Sequence, residues 1–146
     1  MQYLQVSSFM PNVRQYFGHF APTLRSLSLL QPKGPYRHIL YFIGLFPNLQ
    51  DLKLYRPLTE EGETTALAPL STPPLRGALW LTYCDGEAFI EGMTEFFGGL
   101  HFRHIYLFEV KCAELVLESC AETAETVRQY PVDYRRPQPN SPSVRR

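Results

Sequence analysis

The 146-residue chain carries no net formal charge, no disulfide-like cysteine pattern and no long apolar run. Fourteen basic residues balance fourteen acidic ones. A neutral chain has no field to gather nucleic acid or anionic lipid, so neither is expected as a partner. The three cysteines, Cys84, Cys112 and Cys120, are odd in number and widely spaced. That excludes a simple disulfide framework, and reduced thiols in or near the core are expected. The longest apolar run, Ile39 to Phe46, has eight residues and includes Gly44. A membrane span needs about 20. The opening "MQYLQVSSFMPNVRQ" lacks a basic region leading into an apolar one, so no secretory signal is read. An intracellular location, cytoplasmic or nuclear, is the expectation.

Catalytic patterns are equally scarce. His101 and His104 are three apart, a spacing that chelates metal on a helix, but they straddle a strand start with no nearby Cys or Asp to complete a site. Cys84 beside Asp85, with any of the four histidines, has no supporting spacing as a nucleophile set. The glycine pair Gly98-Gly99 follows a helix-like segment, whereas a phosphate loop precedes one. No nucleophile elbow surrounds any serine. The expectation is a protein that is not an enzyme and uses no metal or cofactor.

Against these absences stands a repeat. "TLRSLSLL" (23–30) and "NLQDLKLY" (48–55) share the pattern apolar-x-x-apolar-x-apolar. It fits Met1, Leu4 and Val6; Leu24, Leu27 and Leu29; Leu49, Leu52 and Leu54; and Phe102, Ile105 and Leu107. Ala124 and Val127 begin a weaker copy, with Gln129 in its last place. Leu75, Leu79 and Leu81 fit only with one extra residue, next to Gly77, which suggests a bulge or shifted strand start. The first positions fall at 1, 24, 49, 75, 102 and 124, in steps of 23, 25, 26, 27 and 22. Repeats of roughly 20–29 residues pair a strand with a helix or turn in each unit.

Between the beats, 12–24, 36–49 and 87–102 show apolar residues at helical spacing, and 110–123 is also helix-like. In the second, Ile39, Phe42, Ile43 and Phe46 form one stripe. The phrases "HFAPTL" and "LFPNL" bring a proline that ends the helix and extends the chain toward the strand. Gly98-Gly99 supplies a C-cap in the third. The stretch 57–74, rich in Pro, Thr and Glu, reads as an irregular loop. Glu109, Glu114, Glu118, Glu122 and Glu125 are read as one acidic outer helix face. Residues 133–146 read as a disordered, basic, Pro-rich tail: its end "YRRPQPNSPSVRR" has four arginines and three prolines.

At "TLRSLSLL", "NLQDLKLY" and "FRHIYLFE" the chain resembles the leucine-rich-repeat superfamily, and "FPNLQDLKLY" is similar to the irregular repeats of fungal F-box-like proteins. The resemblance covers residues 1 to about 132. It implies an α/β fold: a short curved solenoid of about five irregular repeats, with parallel strands on the concave side and helices on the convex side. It also implies a non-catalytic protein-protein interaction module, the target-binding part of an F-box-type ubiquitin-ligase receptor. In that family an F-box precedes the repeats. Here no such segment stands before Met1, so the alternative is a truncated repeat fragment with no independent activity. The asparagine or cysteine that often follows the strand in that family is read as absent: Pro32 and Pro57 stand three residues after Leu29 and Leu54, so no regular asparagine ladder is expected.

In such an architecture template residues point inward, and alternation places the residues between and beside them on the exposed strand face. That stripe begins with Tyr3, Gln5, Ser26, Ser28 and Asp51, continues through Ala78 and Thr82, and includes Thr126. The partner-binding candidates within it are Lys53, Tyr55, Trp80, His104, Tyr106, Phe108, Arg128 and Tyr130. Trp, Tyr and Arg are enriched in binding hot spots, and exposed aromatic clusters mark interaction surfaces. The extra residue near Gly77 leaves two registers open for Trp80, on this stripe or in the core.

Overall fold

The computed structural model describes residues 3–7, 22–59 and 71–130. The helix expected at 12–24, most of the loop at 57–74 and the tail at 133–146 lie largely or wholly outside the described residues.

The described residues form an α/β fold built on an open, six-stranded parallel sheet with three helices. In chain order the elements are β1 (Tyr3–Ser7), β2 (Ser26–Leu30), β3 (Lys33–Gly34), α1 (Tyr36–Ile43), β4 (Asp51–Tyr55), β5 (Leu58–Thr59), β6 (Ala78–Thr82), α2 (Gly86–Phe97), β7 (His104–Phe108), α3 (Ala113–Ser119) and β8 (Thr126–Tyr130). The sheet order is β1-β2-β4-β6-β7-β8, so each five-residue strand lies beside the next one in sequence. A parallel neighbour needs a crossover, which the repeat's second half supplies. β3 and β5 make a separate parallel pair, and of the two only β5 falls within the stretch 57–74 read as an irregular loop.

The register follows the repeat. Leu4, Leu27, Leu52, Leu79, Ile105 and Val127 form one row across the strands, and Val6, Leu29, Leu54, Leu81, Leu107 and Gln129 a second. From β2 to β7 these side chains are buried. They pack with Ile39, Leu40, Phe42 and Ile43 of α1, Phe89, Met93, Phe96 and Phe97 of α2, and Val116 of α3. Each fully buried large apolar side chain contributes roughly 1.5–3 kcal/mol by leaving water. Contact between α1 and α2, and between α2 and α3, covers that side of the sheet. Arg37 of α1 also pairs with Glu95 of α2.

The helices are shorter than their apolar stretches. α1 stops at Ile43, and the chain turns through Gly44 and Leu45 before Pro47; Phe46 still packs edge-on against Phe42 at 5.3 Å. α2 starts under the Asp85 carboxylate, which accepts from the Glu87 and Ala88 amides at 3.0 and 3.4 Å. It ends at Gly98 with φ 81°, a left-handed cap that glycine adopts without penalty. α3 holds only Glu114 and Glu118 of the five acids assigned to one helix face. Glu109 and Glu125 flank strands β7 and β8, because turns end the helical period at both sides.

Side chains tie each unit to the backbone of the one before. The Asn48 amide donates to the Pro22 carbonyl at 2.7 Å, Ser71 Oγ to Gly44 O at 2.6 Å, and Thr123 Oγ1 to Phe102 O at 3.0 Å. The buried Cys84 thiol donates to Leu54 O at 3.4 Å. Cys84 stands three residues after Leu81, where Pro32 and Pro57 stand after Leu29 and Leu54. A cysteine at that place is therefore present in one unit.

The extra residue near Gly77 leaves a local fault. Gln50 and Asp51 both donate to Arg25 O, and Arg103 and His104 both donate to Gly77 O. Gly77 donates to Gln50 O, but the Ala78 amide turns to Asp51 Oδ1 at 2.8 Å. Leu75 takes up the added length at φ 46°. A Cβ on Gly77 would lie 2.0 Å from Asp51 Oδ1, so only glycine lets that carboxylate approach.

Candidate functional site

The face of the sheet turned away from the helices carries three rows. The first runs Tyr3, Ser26, Asp51, then Ala78, His104, Thr126. The second runs Gln5, Ser28, Lys53, Trp80, Tyr106, Arg128. The third runs Leu30, Tyr55, Thr82, Phe108, Tyr130. All eight residues singled out from the sequence stand on these rows. Trp80 is 37% exposed between the fully buried Leu79 and Leu81, which settles its register in favour of this face.

The rows differ in character. Trp80 and Tyr106 lie face to face, ring centres 5.2 Å apart and planes 14° from parallel. Exposed Lys53 precedes them on β4 and exposed Arg128 follows on β8. His104 is half-buried beside Ala78 and Thr126. Asp51 is engaged: besides the Ala78 amide it accepts from Ser26 Oγ at 2.8 Å. Ser28 is buried and small, so the face flattens toward β2. Beside it, Leu30, Gln31, Lys53 and Tyr55 line a shallow depression of about 430 Å³.

Tyr83 joins the site although alternation does not assign it there. Gln31, Arg56, Tyr83 and Glu109 each follow a strand directly, with φ of 51°, 46°, 54° and 51°. Each amide donates to the last strand residue of the next unit: Tyr55, Thr82, Phe108 and Tyr130. This left-handed residue breaks the alternation, and Tyr83 packs edge-on against Tyr55 at 5.8 Å and Phe108 at 5.7 Å. Phe108 meets Tyr130 at 5.6 Å. The outcome is a continuous aromatic band, Tyr55–Tyr83–Phe108–Tyr130, along the strand ends. The negative Glu109 carboxylate beside Tyr83 raises that phenol's pKa above its ordinary value. No sequence signal marks Tyr83, because the left-handed positions hold no glycine.

Of the residues weighed for catalysis, Cys84 and Asp85 are engaged in the fold. Burial pushes the Cys84 thiol up to about 12, which disfavours the thiolate a nucleophile requires. Asp85 caps α2. His101 is exposed with Arg76, Arg103 and Glu125 around a second depression, while His104 belongs to the strand face. Among the described residues no three His, Cys, Asp or Glu side chains are grouped to hold a metal, and no helix is long and apolar enough to cross a membrane.

Compared with known proteins, the chain matches no family model, no curated protein and no solved structure.

Proposed function

We propose that the chain is a non-catalytic protein-binding module of leucine-rich-repeat type, a short curved solenoid that takes its partner on the concave strand face. The observation that carries this reading is the aromatic surface just described. Six rings, from Tyr55 to Tyr130, gather on the side of the sheet that the described helices leave uncovered. Large aromatic side chains lose little conformational freedom on binding, and such clusters anchor interfaces. The strictly sequential parallel strands and the rows of template leucines support the repeat assignment. By the resemblance of "FPNLQDLKLY", the partner is a target protein held for an F-box-type ubiquitin ligase, inside the cell.

A second reading draws on β8. Val127 continues a core row yet is 48% exposed, and among the described residues no strand pairs with the outer edge of β8. Solenoid repeats bury their faces only against neighbours. A repeat segment of a longer F-box-like protein, with no activity of its own, fits that observation.

Unfolding of the purified chain separates the two readings. An independent module unfolds in one cooperative transition and retains a protein partner that Arg128→Ala releases. A broad transition that sharpens only when further repeats are appended favours the second.

A further inference from the structure

The chemistry of the partner can be read from how charge is distributed, and this step rests on the strand face being a docking surface. α2 and α3 expose Glu87, Glu91, Glu95, Glu114 and Glu118 and contain no lysine or arginine. The strand face has the opposite sign. Lys53 and Arg128 are exposed there and form no ion pair among the described residues. Asp51 is engaged by Ser26 and the Ala78 amide. Glu109 lies past the strand end, beside Tyr83. Among the described residues, Glu95 pairs with Arg37 of α1, and the other four carboxylates of α2 and α3 stand opposite the two cations of the strand face.

The middle row therefore reads cation, indole, phenol, cation: Lys53, Trp80, Tyr106 and Arg128 on four adjacent strands. Neighbouring strands lie about 4.8 Å apart, so the two cations stand on backbones roughly 14 Å apart. An extended peptide advances about 3.3 Å per residue, and its side chains at every second position share a face. Five residues of extended chain laid across the strands, four steps of about 3.3 Å, therefore span the row. They turn their first, third and fifth side chains to it.

We infer that this row binds an extended acidic segment of a partner protein, with two carboxylates at alternate-face positions on either side of a central apolar residue. The carboxylates meet Lys53 and Arg128, and the apolar side chain rests on the Trp80–Tyr106 pair. The acidic α2–α3 side repels the same segment, so charge selects the face as well as the ligand.

Trp80 is the chain's single tryptophan, so its fluorescence reads this site directly. The full chain is titrated at low salt with a short capped peptide centred on Asp-Ser-Leu-Ser-Asp and with its Lys-Ser-Leu-Ser-Lys counterpart. The acidic peptide shifts Trp80 emission saturably, added salt weakens it, and the lysine peptide gives no shift. Lys53→Glu with Arg128→Glu raises the dissociation constant at least about tenfold while the unfolding midpoint stays in place. Equal binding of the two peptides, no saturable shift, or indifference to the charge reversal overturns the inference. So does a single-stranded oligonucleotide that displaces the acidic peptide at equal charge, which assigns the face to nucleic acid. Self-association of the wild type that the charge reversal abolishes assigns it to a second copy. If acidic peptides fail while Trp80→Ala still releases a protein partner, the acidic assignment falls and the docking face stands. If both fail, both readings fall.

Discussion

Asp51 accepts the Ala78 amide at 2.8 Å through the space left by Gly77, whose missing Cβ would lie 2.0 Å from the same oxygen. A one-residue irregularity in the repeat is thereby absorbed without shifting the leucine rows. Asp51→Ala leaves the half-buried Ala78 amide without its acceptor and is expected to cost about 1–3 kcal/mol in chemical denaturation. Gly77→Ala is expected to destabilise in the same way, by displacing that carboxylate. Because both changes break one contact, the double variant should cost clearly less than the sum of the singles. Simple additivity would show that the two residues act separately.

The left-handed residues make a second test. Gln31 and Arg56 hold φ of 51° and 46°. That conformation costs an ordinary residue roughly 1–2 kcal/mol. Arg56→Gly should leave stability unchanged or raise it by about 0.5–1 kcal/mol, gain of backbone ease being offset by unfolded-chain entropy. Arg56→Val should lower it, since a branched side chain suits this region least. Denaturation midpoints that rank valine above glycine would contradict the assigned turn.

Thiol chemistry follows burial. Burial raises the Cys84 pKa from 9.0 to about 12 and that of Cys120 from 9.0 to about 11. The half-buried Cys112 should be alkylated first in the native protein, with Cys84 and Cys120 protected until unfolding. The pH dependence has a definite sign. The unfolded thiols ionise near pH 9 while the folded ones stay protonated, so the unfolded state binds fewer protons above that pH. Their contribution is fully present below pH 9 and is lost as pH rises toward 11 and 12. Cys84→Ala should flatten that alkaline decline, as denaturation across the same pH range would record.

The strands were legible in the sequence, and the reason is physical. A period of two within a beat of about 25 residues leaves one arrangement that buries Leu27, Leu29, Leu52 and Leu54 together. The positions of the three described helices were legible and their lengths were not. The apolar stripe from Ile39 to Phe46 continues through a turn at Gly44, because Phe46 reaches the core from outside the helix. The two-residue strands β3 and β5 carry no periodic signal at all. Tyr83 and the bond from Cys84 to Leu54 O escaped for a different reason. Both depend on backbone that turns left-handed at non-glycine residues, where composition gives no warning. Asp51 stood in the expected stripe, but its carboxylate is spent on Ala78, an outcome that only the fault at Gly77 explains.

Adjacent residues of β6 should behave in opposite ways. Leu81 is fully buried, and Leu81→Ala is expected to cost about 2–5 kcal/mol. Trp80 is partly exposed and stacked on Tyr106, so Trp80→Ala should cost only about 0.5–1.5 kcal/mol, the worth of an aromatic pair. A reversed order in urea denaturation would contradict the register of this strand.

The most direct measurement compares binding and folding in one variant, Trp80→Ala with Tyr106→Ala, against a protein partner retained by the wild-type chain. The account predicts a dissociation constant raised at least about tenfold, as for the loss of a hot spot, with the cooperative unfolding transition preserved. Undiminished binding by the folded double variant would contradict it.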